Sequence, residues 1–425
     1  MVHPFANVPD IQLESLNALS AQFRCDTAPE KTNLMVGVFK SDNGGPHVLS
    51  SVSQAKAKIF SNSNWHHEYR GTHIGSQRFR NFGARLFFGE DSHSIKENRI
   101  ISMQSLGASG ACHMAAKFLK DHYGPWTAGS QARVFIPRES WGNHPNVFEY
   151  LGIKVSQIPY LDNQSKMFDY VAFRTAIGSI PQGSVLVLQS AAQNPTGCDP
   201  TLEQWHEIAS LCHERGHLVL FDVAYPGFAS GNIDIDLESV RIFDKMGVPL
   251  IIATTYGKCF GLYCERVGAL FVVAPDEAVG KRIEKQMKFL ARAETGAQPD
   301  FGSLIVETIL SDAELRSLWQ SELREMAEQL KYRRQQLQQR LVDLKTPGIW
   351  SHITLQNGMF SHIGFTGEQI RILREDYHVY LQDNGRLSIA GLNSSNLEHV
   401  ARSVHAVIIA TTEAGDMHAR SREHL

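Results

Sequence analysis

Five short apolar runs dominate the middle of this chain: Arg133–Pro137, Val185–Gln189, Leu218–Asp222, Leu250–Thr254 and Ala269–Val273. Several are rich in Val and Ile, and each ends at polar or turn residues. Helical patterns such as Leu202–His213 lie between them. Strands that alternate with helices predict a mostly parallel sheet covered by helices on both faces. Ligands on such a sheet sit outside the carboxyl ends of the strands. The polar residues that follow each run are therefore the candidates for chemistry. From Trp319 to Leu344, apolar residues recur at helical spacing among many charges, which predicts a long amphipathic packing helix. It is expected to link the large α/β domain to a smaller C-terminal one.

The remaining properties narrow the setting. A chain of 425 residues can hold one large or two ordinary domains. A net charge of -3 gives no electrostatic case for nucleic acid or an anionic membrane. Six cysteines without a C-x-x-C pair read as reduced thiols, so the cytoplasm is the expected compartment. The start, Met1–Asn7, has no basic segment followed by an apolar core, so no secretory signal is expected. No apolar run reaches membrane-spanning length. Glu423-His424-Leu425 only faintly resembles a peroxisomal address, since its first position is wrong for the usual signal.

Lys258 follows the run that ends at Thr254, among small residues, and Arg266 comes eight positions later. That pattern suits a lysine bonded covalently to a phosphorylated aldehyde cofactor, with the arginine forked onto the phosphate. A solvated surface lysine is the plain alternative. Gln104–Ala111 reads as a Gly- and Ser-rich loop opening a helix, where backbone N–H groups can meet a phosphate. Asn194-Pro195-Thr196-Gly197 is turn chemistry, but Asn194 can also bond a phenolate oxygen of the cofactor. Asp222, at the end of an apolar run, is costly to bury without a cation such as a protonated pyridine nitrogen. Tyr225 can reach the ring oxygen; a helix cap is the competing role for Asp222. Trp141 can stack on the ring or simply fill the core. Arg386 can fork onto a substrate carboxylate or form a surface ion pair. His213-Glu214-Arg215-Gly216-His217 matches a zinc pattern, but Gly216 reads as a helix terminator, and no metal is expected.

Taken in order, these segments resemble the aspartate aminotransferase family of fold-type I pyridoxal phosphate enzymes. The likeness runs from about Phe5 to about Thr411 and includes Asn33–Gly37, His67-Glu68-Tyr69 and Gly358–Ser361. The resemblance implies a fold-type I α/β architecture. It has an N-terminal arm at 1–13, a small domain at 14–47 and 326–412, a large cofactor domain at 48–325, and a polar tail at 413–425. It implies that Lys258 holds the cofactor and shuttles a proton, and that Asp222 keeps the pyridine nitrogen protonated. Asn194 and Tyr225 would bind the ring oxygen and Trp141 would stack on the ring. Ala108, Ser109, Thr255 and Arg266 would bind the phosphate, joined by Tyr69 from a neighbouring subunit. Arg386 would grip the substrate α-carboxylate near Gly37, and Arg292 would read a side-chain carboxylate across a homodimer.

The chain departs from the family pattern at several points. Gln189 and Gln193 stand where two histidines are usual, Cys259 replaces asparagine, Gly296-Ala297-Gln298-Pro299 replaces Ser-Asn-Pro-Pro, and Phe39-Lys40 replaces Tyr-Arg. The expected activity is transfer of an amino group between an L-amino acid of aspartate or glutamate type and a 2-oxo acid. The alternatives are an aromatic substrate, a β-elimination or decarboxylation on the same cofactor, and a non-catalytic scaffold.

Overall fold

The computed structural model describes residues 3–10 and 15–422. Parts of the expected arm (1–2 and 11–13) and Glu423-His424-Leu425 lie outside the described residues. The strands are β1 (Thr32–Asn33), β2 (Ile100–Leu106), β3 (Val134–Pro137), β4 (Val155–Ile158), β5 (Val185–Gln189), β6 (Leu218–Val223), β7 (Leu250–Thr255) and β8 (Val267–Val273), then β9 (Phe360–His362), β10 (Val379–Tyr380) and β11 (Arg386–Ser388).

Seven of them form one sheet in the order β2-β8-β7-β6-β5-β3-β4. All five apolar runs are strands of this sheet. Every residue of β5, β6 and β7 is buried, as a parallel sheet covered on both faces requires. Burying a Val, Leu or Ile fully contributes roughly 1.5–3 kcal/mol, so each run tolerates one polar residue at its end. Only β8 runs against the others, antiparallel to both β2 and β7. Its reversed direction brings its first residues to the edge where the other strands finish. Two expectations change in detail. Gln104–Leu106 is the end of β2, and the helix Gly107–His122 follows without a loop. β2 and β4 were not evident as apolar runs, because Ser102, Gln104, Ser105 and Gln157 interrupt them.

The long helix spans Ala313–Asp343, starting at the Asp312 cap rather than at Trp319. Its Trp319 stacks on Phe260 (ring centroids 4.4 Å apart, 14° between planes) and donates to Cys259 O at 2.8 Å. The helix thereby braces the turn that carries Lys258. Farther along it, Arg334 is buried and donates to the carbonyls of Ile353, Asn357 and Gly358, tying down the segment before β9. The short strands lie outside the main sheet as two pairs, β1 with β10 and β9 with β11. The last helix continues through the expected polar tail as far as Arg422. The helix Leu202–Glu214 stops before Gly216 (φ +62), and His217 turns its Nε2 to Ile177 O at 3.3 Å. The two histidines of the zinc-like pattern thus do not share one helical face.

Candidate active site

The carboxyl ends of β2, β3, β5, β6 and β7 and the start of β8 meet at one edge of the sheet. A cavity of about 330 Å³ opens there. Of the site residues anticipated in the sequence, it gathers Gly37, Ala108, Ser109, Trp141, Asn194, Asp222, Tyr225, Thr255, Lys258, Arg266 and Arg386.

Lys258 lies three residues beyond β7. Its Nζ donates to Gly37 O at 2.8 Å and sits 4.9 Å from the Tyr263 ring centroid. Burial, reinforced by the positive charges of Arg386 and Arg266, lowers its pKa to about 8. Loss of water and charge repulsion thus raise the share of neutral, nucleophilic amine close to physiological pH.

Asp222 is a strand residue of β6, not a helix cap, and is 4% exposed. Its Oδ2 lies 3.1 Å from His144 Nε2, and His144 Nδ1 lies 2.8 Å from Ser140 Oγ. Its Oδ1 is buried and has no hydrogen-bond partner among the described residues. A buried carboxylate oxygen left unpaired is costly, so this atom is suited to an N–H donor inside the cavity. Cys112 lies close enough to His144 and Asp222 to suggest a metal trio. Burial and the Asp222 charge raise the Cys112 pKa well above its usual value, however, which disfavours the thiolate that a metal ligand needs.

Arg386, on β11, is buried yet remains a cation, its pKa lowered by burial only to about 10. Its Nη1 donates to Asn194 Oδ1 at 2.9 Å, its Nη2 donates to Met35 O, and its guanidinium lies 4.0 Å from the Phe360 ring centroid. Asn194 also stands beside Tyr225, whose pKa is raised, chiefly by burial. Tyr225 meets Phe360 edge-on at 5.6 Å. Trp141 stands perpendicular to His144, ring centroids 5.3 Å apart.

On the opposite side, Arg266 donates to Tyr263 O at 3.0 Å, just ahead of β8. A Cβ on Gly107 (φ +69) would lie 2.5 Å from Arg266 Nη2, and one on Gly268 would lie 2.5 Å from Thr254 O. Two glycines thus let β8, the end of β7 and the start of the helix Gly107–His122 close up. Ala108 and Ser109 begin that helix, whose free N–H groups and dipole favour an anion. Thr255 Oγ1 accepts Gly257 N–H at 3.0 Å and donates to Val267 O at 3.1 Å.

Two anticipated residues lie away from this cavity. Tyr69 is 87% exposed. Arg292, in the last turn of the helix Glu277–Glu294, is exposed, and its side chain has no hydrogen bond or ion pair among the described residues. Other residues were not foreseen. Leu16, Met35, Val36 and Val38 give the cavity an apolar wall, and Tyr263 and Ala224 also line it. Phe360 lies inside the segment Gly358–Ser361 already singled out, His144 follows Trp141 by three positions, and Tyr263 follows Lys258 by five. A signal was therefore present, without a role attached to it. Leu16 and Val38 had no such signal, since nothing local distinguishes them from core.

A family model described as aminotransferase class I and II matches residues 29–404. The chain is 38% identical over 404 residues to the cytoplasmic aspartate aminotransferase of Oryza sativa subsp. japonica, covering 95% of this chain and 98% of the relative. It is similar in structure to the cytoplasmic aspartate aminotransferase of Saccharomyces cerevisiae, with a TM-score of 0.91 and 35% identity over 95% of this chain and 98% of that one. An aromatic amino acid aminotransferase from Burkholderia pseudomallei, covalently bound to pyridoxal phosphate, matches with a TM-score of 0.90 and 31% identity, covering 96% of this chain and 100% of that one.

Proposed function

The chain belongs to the aspartate aminotransferase family of class I and II aminotransferases, and from that premise we propose that it acts on acidic L-amino acids with 2-oxoglutarate as acceptor. It is a pyridoxal phosphate-dependent enzyme that moves an amino group between an L-amino acid and a 2-oxo acid. The observation that carries the assignment of roles is the meeting of Lys258, Asp222, Asn194, Tyr225, Arg266 and Arg386 in one cavity.

The residues fit the cofactor. Asp222 Oδ1 is a buried acceptor with no partner among the described residues, as a pyridinium N–H requires. The Gly107–Arg266 contact leaves a cationic cradle beside a helix N-terminus, as a phosphate requires. When bound, the cofactor supplies an electron sink for the carbanion formed at the substrate Cα. Lys258 Nζ would hold the cofactor aldehyde until the substrate amine displaces it, and the freed amine would then take the proton from Cα and return it during transfer. Asp222 keeps the ring nitrogen protonated, and His144 and Ser140 hold Asp222 in place. Asn194 and Tyr225 donate to the ring oxygen, and Trp141 covers the ring face. Ala108, Ser109, Thr255 and Arg266 bind the phosphate. Arg386, backed by Phe360, takes the substrate α-carboxylate beside Gly37.

A dicarboxylic substrate is favoured by Arg292, a guanidinium with no partner on its own chain among the described residues. An aromatic substrate is the second reading. It is supported by the apolar wall of Leu16, Met35, Val36 and Val38 and by the similarity to a protein named as an aromatic amino acid aminotransferase. Incubating the holoenzyme with a panel of L-amino acids and 2-oxoglutarate, and identifying all products, separates the two. Glutamate formed fastest from aspartate supports the first, and from phenylalanine or tyrosine the second. Absence of glutamate from every donor rejects the assignment.

Arg292→Leu is expected to lower kcat/KM for aspartate by about tenfold to a hundredfold, the worth of a charge-assisted bidentate contact of roughly 1.5–3 kcal/mol. Phenylalanine should be spared or improved. Equal losses on both substrates would mean that Arg292 supports structure and does not read the side chain.

We further propose a cytoplasmic homodimer with shared sites, in which Tyr69 and Arg292 serve the neighbour's cavity. Their exposure on one chain supports this reading. So do the relatives named cytoplasmic. Among the described residues, no helix is long and apolar enough to cross a membrane. Mixing Lys258→Ala with Arg292→Leu should restore part of the activity on aspartate, because each hybrid dimer has one site with both residues intact. No recovery after confirmed subunit exchange counts against shared sites.

A further inference from the structure

Gln189 ends β5 and pairs in register with Asp222 on β6. It is 6% exposed, and its side chain turns along its own chain toward Asn194. Oε1 accepts Asn194 N–H at 2.8 Å, and Nε2 donates to Asn194 O at 3.1 Å. A primary amide carries donor and acceptor side by side in one plane, so it can grip both main-chain groups of one residue, as a neighbouring strand would. The rest of the turn is held by other groups. Asp199 accepts Ala192 N–H at 2.8 Å and Gln193 N–H at 3.1 Å. Gln193 Oε1 accepts Thr196 N–H at 3.0 Å, and its Nε2 donates to Glu139 O. Among the described residues, Gln189 is the only side chain that bonds the main chain of Asn194 itself.

Asn194 is where two parts of the site meet. Its Oδ1 accepts from Arg386, and its side chain stands beside Tyr225 in the same cavity. A displacement of its main chain therefore passes to both. We propose that Gln189 is a positioning residue that aims Asn194 and so couples the carboxylate-binding arginine to the ring-oxygen site. The inference rests on the pyridoxal phosphate reading of this cavity. Gln189 is not among the residues that line the cavity; it acts through Asn194.

The test uses holoenzyme of Gln189→Met, which keeps the length but loses both hydrogen bonds. Gln189→Asn, which stays a neutral amide but is one methylene too short, serves as a gentler variant should the first fail to fold. Absorbance of the bound cofactor is titrated against pH, and KM and kcat are measured with the best donor. Either variant should raise the apparent pKa of the chromophore by about 0.5–1 unit, the effect of losing one hydrogen bond to the ring oxygen. KM should rise roughly threefold to tenfold on the same estimate, with kcat changed less. In an Asn194→Ala background the same substitutions should add nothing to the chromophore shift, because residues acting as one unit are non-additive. An unshifted chromophore in both variants, or an equal shift with and without the Asn194 amide, overturns the proposal. A wild-type protein that neither shows the cofactor's visible band nor transaminates overturns the reading of the cavity, and this inference with it.

Discussion

Lys258→Ala is expected to abolish turnover, by several orders of magnitude, while the fold persists. The visible band of the lysine-bound cofactor should vanish, although Arg266, Asp222 and the helix N-terminus can still hold the cofactor without a covalent bond. Stability should change little, because the native lysine side chain makes one hydrogen bond of ordinary strength, to Gly37 O at 2.8 Å, and one contact with the Tyr263 ring. Near-normal turnover in this variant would sink the mechanism. The wild-type lysine should also leave a signature in pH. Burial, Arg386 and Arg266 depress its pKa from 10.5 to about 8. The lower value favours the neutral amine, so attachment of cofactor to apoprotein should speed up as pH rises through about 8 and level off above it. An unperturbed lysine would keep accelerating toward pH 10. Stopped-flow absorbance across that range distinguishes the two.

Asp222→Ala should cost nearly as much. Without the carboxylate the ring nitrogen loses its proton and the site loses most of its pull on the developing carbanion. Several orders of magnitude in kcat are expected, with Asp222→Glu milder because the charge survives in a displaced position. A loss below about tenfold, or roughly 1.4 kcal/mol, would show that the carboxylate is structural. The unpartnered Oδ1 argues against that outcome: a structural aspartate at 4% exposure would be expected to have both oxygens satisfied.

The strands that carry Asn194, Asp222 and Lys258 were legible because each is a local apolar run with a polar end. The phosphate segment was legible in composition but not in form. Gln104 and Ser105 look like loop residues, yet both are buried in β2, where pairing with β8 satisfies the backbone. The long helix was legible from its spacing, but its first turn was not, since the start depends on the Asp312 side chain capping Glu314 and Leu315. Arg266 was anticipated from its distance to Lys258. That it reaches the same edge follows from the reversed direction of β8, which no local pattern announces.

By itself, the sequence determined which side chains carry the chemistry and which runs form the sheet. Those properties belong to residues and to their near neighbours along the chain, through burial periodicity and turn chemistry. Tertiary structure decided the state of those side chains. Lys258 meets Gly37 across 221 positions, Arg386 meets Asn194 across 192, and His144 meets Asp222 across 78. A lowered lysine pKa, a carboxylate with one oxygen held by histidine and the other unpaired, and an asparagine gripped by a glutamine are products of water exclusion and short distances. Both arise only when strand ends far apart in the chain are brought to one edge of the sheet.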